Sequence, residues 1–213
     1  LIEDFLDLSD KDLSDLRDFA IWFDGRLRDG KILDSSKLLL NNLDDMSITT
    51  MLMGSYNIFM FDVPAIKKIY LYLRNAIKNK LYKEGSNHIF LHGWLNVSKR
   101  PSVTKDVFES QINNNMLQEF IDNRPKNIYH GYVSVFANGS KTFFRFNNQQ
   151  DHVITNVDGK IIITDMGHPH AIDYWDSSSQ RITIGFDIIQ KDSYFEKGEY
   201  AKLNYQGNLL PIF

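Results

Sequence analysis

The stretch GKIIITDMGHPHAIDYWDSSSQRITIGFDI, residues 159–188, decides how this chain is read. Two β-branched runs bracket a His-Pro-His, and a single arginine, Arg181, opens the second run. Branched side chains fit a pleated, half-buried surface, so both runs read as strands. Along the second, side chains alternate: Ile182, Ile184, Phe186 and Ile188 share one face, and Arg181, Thr183, Gly185 and Asp187 share the other. The apolar face calls for a covering layer. The polar face either meets water or lines the inside of a barrel, and the residues by themselves leave both open.

Working outward, HIFLHGWLNV (88–97), YHGYVSVF (129–136), KTFFRF (141–146), HVITNV (152–157) and KIIITD (160–165) are further short β-rich runs, separated by Gly, Asn and Asp turns. Asn138-Gly139-Ser140 reads as a hairpin turn. The amino-terminal part has a different period. Ser9 and Asp12 resemble a capping box, and Leu13, Leu16, Ala20, Phe23 and Leu27 recur at helical spacing until Gly30. Asp62 with Pro64 begins a second helix, whose apolar face runs through Ile66, Ile69, Leu73, Ile77 and Leu81 to a stop near Gly85. Residues 31–61 are mixed, and Val107 to Ile121 fit a helix within the long 98–128 connection. Helices first and antiparallel strands afterwards describe an α+β protein. The expected organisation is a single domain over 1–213: helical support in 1–85, a sheet core in 86–190, and a carboxy-terminal extension in 191–213.

Composition narrows the function. At 43% hydrophobic and 24% charged residues the chain is of the soluble globular type, and a net charge of −3 offers no field for nucleic acid or an anionic membrane. Cysteine is absent, which removes disulfides, thiolate sites and cysteine nucleophiles; any metal must be held by His, Asp and Glu. There is no run of eighteen apolar residues, and LIEDFLDLSD is acidic, unlike a secretory or transit segment, so a cytoplasmic protein is expected. Gly-rich phosphate loops and Gly-x-Ser-x-Gly are missing, and the acidic runs of the helices read as solvated faces.

Taken together, the helix VPAIKKIYLYLRNAIKNKL (63–81), the strands HGWLNV and YHGYVSVF, and above all His170 with Arg181 eleven residues later opening RITIGFDI resemble the iron(II)- and 2-oxoglutarate-dependent oxygenases. The likeness, to the small members common in bacteria and phages, runs from about residue 62 to 188. It implies a double-stranded β-helix, a jelly-roll barrel of about eight strands, with the amino-terminal helices on its larger sheet. It implies iron(II) and 2-oxoglutarate as cofactors, His170 as the distal metal ligand, and Arg181 in the barrel mouth pairing with the far carboxylate, with Thr183 and Tyr132 as its companions in cofactor binding. Imidazole suits iron(II), and the planar fork of arginine suits a carboxylate.

The family's His-x-Asp pair is missing. One alignment puts Thr104 and Asp106 in its place, another Asp122 and Arg124, and neither supplies the histidine. His130 is the nearest replacement, with His88 and His92 farther off; His168, beyond Pro169, reads as a residue behind a ligand or on the surface. The candidate ligands are therefore His170, Asp122, Asp106 and His130. Three readings stay open: an oxygenase (hydroxylase) with an unusual site, a fold that binds a carboxylate through Arg181 alone, and a non-catalytic binding or structural relative without the metal. The substrate, small molecule or protein, is unassigned; neither nucleic acid nor membrane is expected, and a homodimer is compatible with the sequence.

Overall fold

The computed structural model describes residues 1–31, 47–81, 89–98, 128–146, 151–165, 170–173, 179–190 and 208–212. Helix α1 (Asp10–Arg28) begins where the sequence places it: Ser9 Oγ accepts from the Asp12 backbone N–H, and Asp12 Oδ2 accepts from the Ser9 N–H at 2.8 Å. Leu16, Ala20, Phe23 and Leu27 form its buried stripe. After the short helix α2 (Ile48–Met51) and two 3-10 turns, at Met53–Ser55 and Ile58–Met60, helix α3 (Pro64–Ala76) starts with proline in its first turn and ends in a π-helical turn, Ile77–Leu81.

The described residues include nine strands, six at the expected runs and three additional ones (the first, seventh and ninth): β1 (Ile2–Phe5), β2 (Ile89–Ser98), β3 (Ile128–Phe136), β4 (Lys141–Phe144), β5 (His152–Thr155), β6 (Lys160–Asp165), β7 (His170–Ile172), β8 (Arg181–Gln190) and β9 (Leu210–Pro211). They make a six-stranded sheet in the order β1-β6-β3-β8-β2-β9 and a three-stranded sheet in the order β5-β4-β7, every pair antiparallel. Strand β1 was legible only as an acidic terminus, because four residues are too few to establish a period; in the fold it pairs with β6, and Lys160 Nζ reaches Glu3 Oε1 at 2.7 Å. Strand β9 adds to β2 beside Phe90 and Leu91.

The helices cover one face of the larger sheet. Leu91, Leu95, Val133, Ile184, Phe186 and Ile188 point into that layer, together with the buried stripes of α1 and α3. The opposite face looks across to the small sheet, where Tyr132, Phe144, Ile154 and Ile162 form a second apolar cluster. The polar side of β8 is thus not a solvated face: Arg181, Thr183 and Asp187 are 4%, 1% and 3% exposed. One expectation is corrected. Among the described residues the two sheets remain separate rather than closing into one barrel, since no strand is shared between them. Strand alternation turns Arg181 inward, at the buried start of β8. The segment Val107 to Ile121 lies outside the described residues. None of the described helices is long and apolar enough to cross a membrane.

The cap of α1 is tied to α3 by Lys68 Nζ, 2.7 Å from Asp12 Oδ2. The hydrogen bond from Lys68, with those from Ser9, pulls the Asp12 carboxyl down from its ordinary 3.8 to about 2. A depressed carboxyl contributes stability above its unfolded-state pKa and loses it as pH falls through the folded one. Urea unfolding between pH about 4 and about 2 should therefore show a stability loss that Asp12→Asn reduces; an unchanged acid limb would remove Asp12 from it.

Candidate functional site

The inner face of the larger sheet is organised by β8, whose register fixes its neighbours on both sides. Ser98 pairs with Arg181, Asn96 and Ser134 with Thr183, Trp94 and Tyr132 with Gly185, and His92 and His130 with Asp187. Three levels result.

At the Asp187 level, His130 Nδ1 lies 2.7 Å from Asp187 Oδ1. The ring of His170 stacks beside that of His130, centroids 5.5 Å apart and planes 25° from parallel. The small sheet brings His170 there: it pairs with Phe144 across β4 and β7, and its ring lies 5.4 Å from the Phe144 ring. His92, on the other side of Asp187, has a different job. Its Nε2 lies 3.0 Å from the backbone carbonyls of Met53 and Tyr56, so it is a donor, and burial pushes its pKa down.

Trp94 occupies the middle level. Its indole lies across Gly185, where a Cβ would come within 2.7 Å of the ring, so only glycine fits. The ring sits 5.7 Å from His92 and 5.9 Å from His130. Trp94 Nε1 donates to Asn96 Oδ1 at 3.1 Å, and Asn96 Nδ2 donates to Thr183 Oγ1 at 3.0 Å; the Thr50 hydroxyl also bonds Asn96 Oδ1.

The third level is a buried polar cluster around Arg181. Its guanidinium carbon lies 5.8 Å from the Tyr132 ring centroid, and Nε donates to Ser140 Oγ at 3.1 Å. The Tyr132 hydroxyl is 2.8 Å from Asn156 Oδ1 and 3.0 Å from Thr142 Oγ1, and Asn156 Nδ2 donates to both Ser140 Oγ and Thr142 Oγ1 at 3.0 Å. Burial pushes the Arg181 pKa down to about 10, opposed by Tyr132, and pushes Tyr132 up to about 12.

Five of the sequence candidates, His170, His130, Tyr132, Arg181 and Thr183, thus share the space between the sheets. Asp106, Asp122, His88 and His168 lie outside the described residues. Asp187, Ser140, Thr142 and Asn156 were not singled out as site residues. Only Asp187 had a legible signal, its place on the polar face of β8; the other three face inward through the pairing of strands in a different sheet. For a metal, the described residues offer two adjacent imidazoles but no group of three or more His, Asp or Glu that could hold an ion.

No protein-family model matches the chain, and no curated protein matches it. Solved structures do. AviO1 from Streptomyces viridochromogenes Tue57 is similar with a TM-score of 0.53 over 90% of this chain and 90% of that one, at 10% identity. The non-heme monooxygenase ThoJ is similar in its apo form, with a TM-score of 0.51 and 8% identity, over 89% of this chain and 73% of that one. Its nickel complex gives 0.50 and 9% over the same shares, 89% and 73%. At these identities the likeness is one of fold.

Gly185→Ala tests the middle level. Forcing a methyl against the indole should cost about 1–3 kcal/mol in urea unfolding and change the near-ultraviolet circular dichroism. The spectral change should disappear in a Trp94→Phe background; if it persists there, the glycine does not act through Trp94.

Proposed function

We propose that the chain is an iron(II)- and 2-oxoglutarate-dependent oxygenase built on a double-stranded β-helix. The observation that carries this reading is the spacing of the two ends of the site. His130 and Tyr132 are two positions apart on β3, so their backbones are about 7 Å apart. The imidazole of His170 sits beside the first, and the guanidinium of Arg181 lies over the second. That separation suits a short dicarboxylic 2-oxo acid with one end at a metal and the other at an arginine. ThoJ, of similar fold, is a non-heme monooxygenase known as a nickel complex, which supports a divalent ion in such a scaffold.

In this reading His170 and His130 hold the ion, and the carboxylate ligand comes from Asp106 or Asp122. Arg181 takes the far carboxylate through two parallel N–H donors, helped by the hydroxyl of Tyr132 and the polar layer that includes Thr183. Burial strengthens that pairing, because water does not compete for the donors. Trp94 walls the space between the two ends. When bound, iron(II) would supply the redox chemistry by which dioxygen, the four-electron oxidant, takes two electrons from the 2-oxo acid, leaving succinate and carbon dioxide, and two from a substrate C–H bond, leaving C–OH.

Anaerobic titration with iron(II) and 2-oxoglutarate should produce the weak visible charge-transfer band of the chelate, and His170→Ala should abolish it. At 2-oxoglutarate about 100-fold above its dissociation constant, the metal-loaded protein should gain about 2.7 kcal/mol, a melting shift of about 5–11 °C. Arg181→Ala should remove that shift, and Arg181→Lys should recover only part of it. No band in the parent protein overturns the oxygenase reading; a shift without a band selects the carboxylate-binding alternative, in which Arg181 acts alone.

A further inference from the structure

We propose that Asp187 is the positioning residue of the metal site: it fixes His130 in the tautomer that leaves the lone pair on Nε2, so that His130 joins His170 as an imidazole ligand. The inference rests on the metal reading above and assigns a role to a residue outside the candidate ligand set.

A carboxylate only accepts hydrogen bonds, so the 2.7 Å contact between Asp187 Oδ1 and His130 Nδ1 requires the hydrogen on Nδ1. In neutral imidazole the lone pair then belongs to Nε2. The Asp187 side chain is only 4% exposed, so water does not compete strongly for its oxygens. Nor can it drift, because Asp187 is held in register on both edges, opposite His92 on β2 and His130 on β3. His92 is held the other way round: its Nε2 donates toward two backbone carbonyls, and its ring lies beside that of Trp94. The result is one carboxylate between two histidines, preparing one of them.

The ring of that histidine lies 5.5 Å from the ring of His170. Metal–imidazole bonds are about 2.0–2.1 Å, so ring centroids this far apart are within the span of one shared ion. A histidine ligand usually donates its second N–H to a carboxylate or carbonyl, which orients the ring and raises its basicity; loss of such a partner typically weakens metal binding about 10–100-fold. The arrangement places one ligand on β3, in the centre of the sheet, where the missing His-x-Asp leaves a histidine to be found.

Co(II) is the metal probe, added anaerobically to the full chain and followed by its visible absorption. Nitrogen-15 NMR of the metal-free protein reads the His130 tautomer directly. The expected parent tautomer carries the hydrogen on Nδ1, and Asp187→Asn should redistribute it toward Nε2. The same substitution should weaken Co(II) binding about 10–100-fold. In a His130→Ala background Asp187→Asn should cause no further loss, which a merely structural role would not predict. An unchanged Co(II) affinity in Asp187→Asn, or an equal further loss in the His130→Ala background, overturns the inference and leaves the oxygenase reading standing. A parent protein that binds no Co(II) removes the oxygenase reading and the metal role of this pair together. Should Asp187→Asn fail to fold, the parent spectrum decides: a hydrogen on Nε2 rather than Nδ1 refutes the assignment.

Discussion

Strand β8 is hydrogen-bonded along both edges, to β2 over residues 181–190 and to β3 over most of the same length. That double ladder is the constraint from which the remaining geometry follows. A strand paired on both sides can send its side chains only up or down, and a one-residue slip would exchange the faces. Ile182, Ile184, Phe186 and Ile188 go under the helices, so Arg181, Thr183, Gly185 and Asp187 have to enter the space between the sheets. The polar interior is therefore the other side of the hydrophobic core. Its position is set by the same pairing that buries the isoleucines.

Such an interior is tolerated because most of its groups satisfy one another; Ser134 Oγ, opposite Thr183, is buried without a hydrogen-bond partner among the described residues. A buried hydroxyl or amide left without a partner costs about 1–3 kcal/mol, and a buried charge costs more. Asn156 illustrates the remedy. Its amide donates to Ser140 and Thr142 while its carbonyl faces the Tyr132 hydroxyl, so that a single side chain joins β3 and β4 to the residues that follow β5. Trp94 is held in the same manner by Asn96, which also engages Thr50 and Thr183. Networks of this kind hold side chains in fixed orientations, which is what a site for a small polar ligand requires.

Much of this was legible in the sequence. The Ser9–Asp12 cap, the stripes of α1 and α3 and the alternation of β8 are local patterns, and each appears in the structure at its expected place. The inward face of β8 was ambiguous because alternation reports two faces without saying what covers them; the small sheet supplies the answer. Strand β1 was missed because its pairing with β6 is recorded in no local period. The partnership of His130 with Asp187, and of both with His170, was likewise beyond reach. It depends on register across β3 and β8 and on the small sheet crossing over them, and none of these distances is written in the spacing of residues along the chain.

The pairing pattern also has a kinetic side. Residues 2–5 meet residues 160–163, residues 89–98 meet residues 181–190, and residues 210–211 return to residues 90–91. Each ladder closes a long loop before its contacts reward the lost chain entropy, and topologies dominated by such closures fold slowly. The inner face needs β2, β3 and β8 side by side, so no fragment of this order can assemble it in advance. While β8 waits for its two neighbours, its row of isoleucines and its unpaired edges are open to other chains. Early helical cover over those residues would shorten that exposure, which gives the capped α1 and the proline-started α3, both locally encoded, a protective role during folding in addition to their place in the finished core.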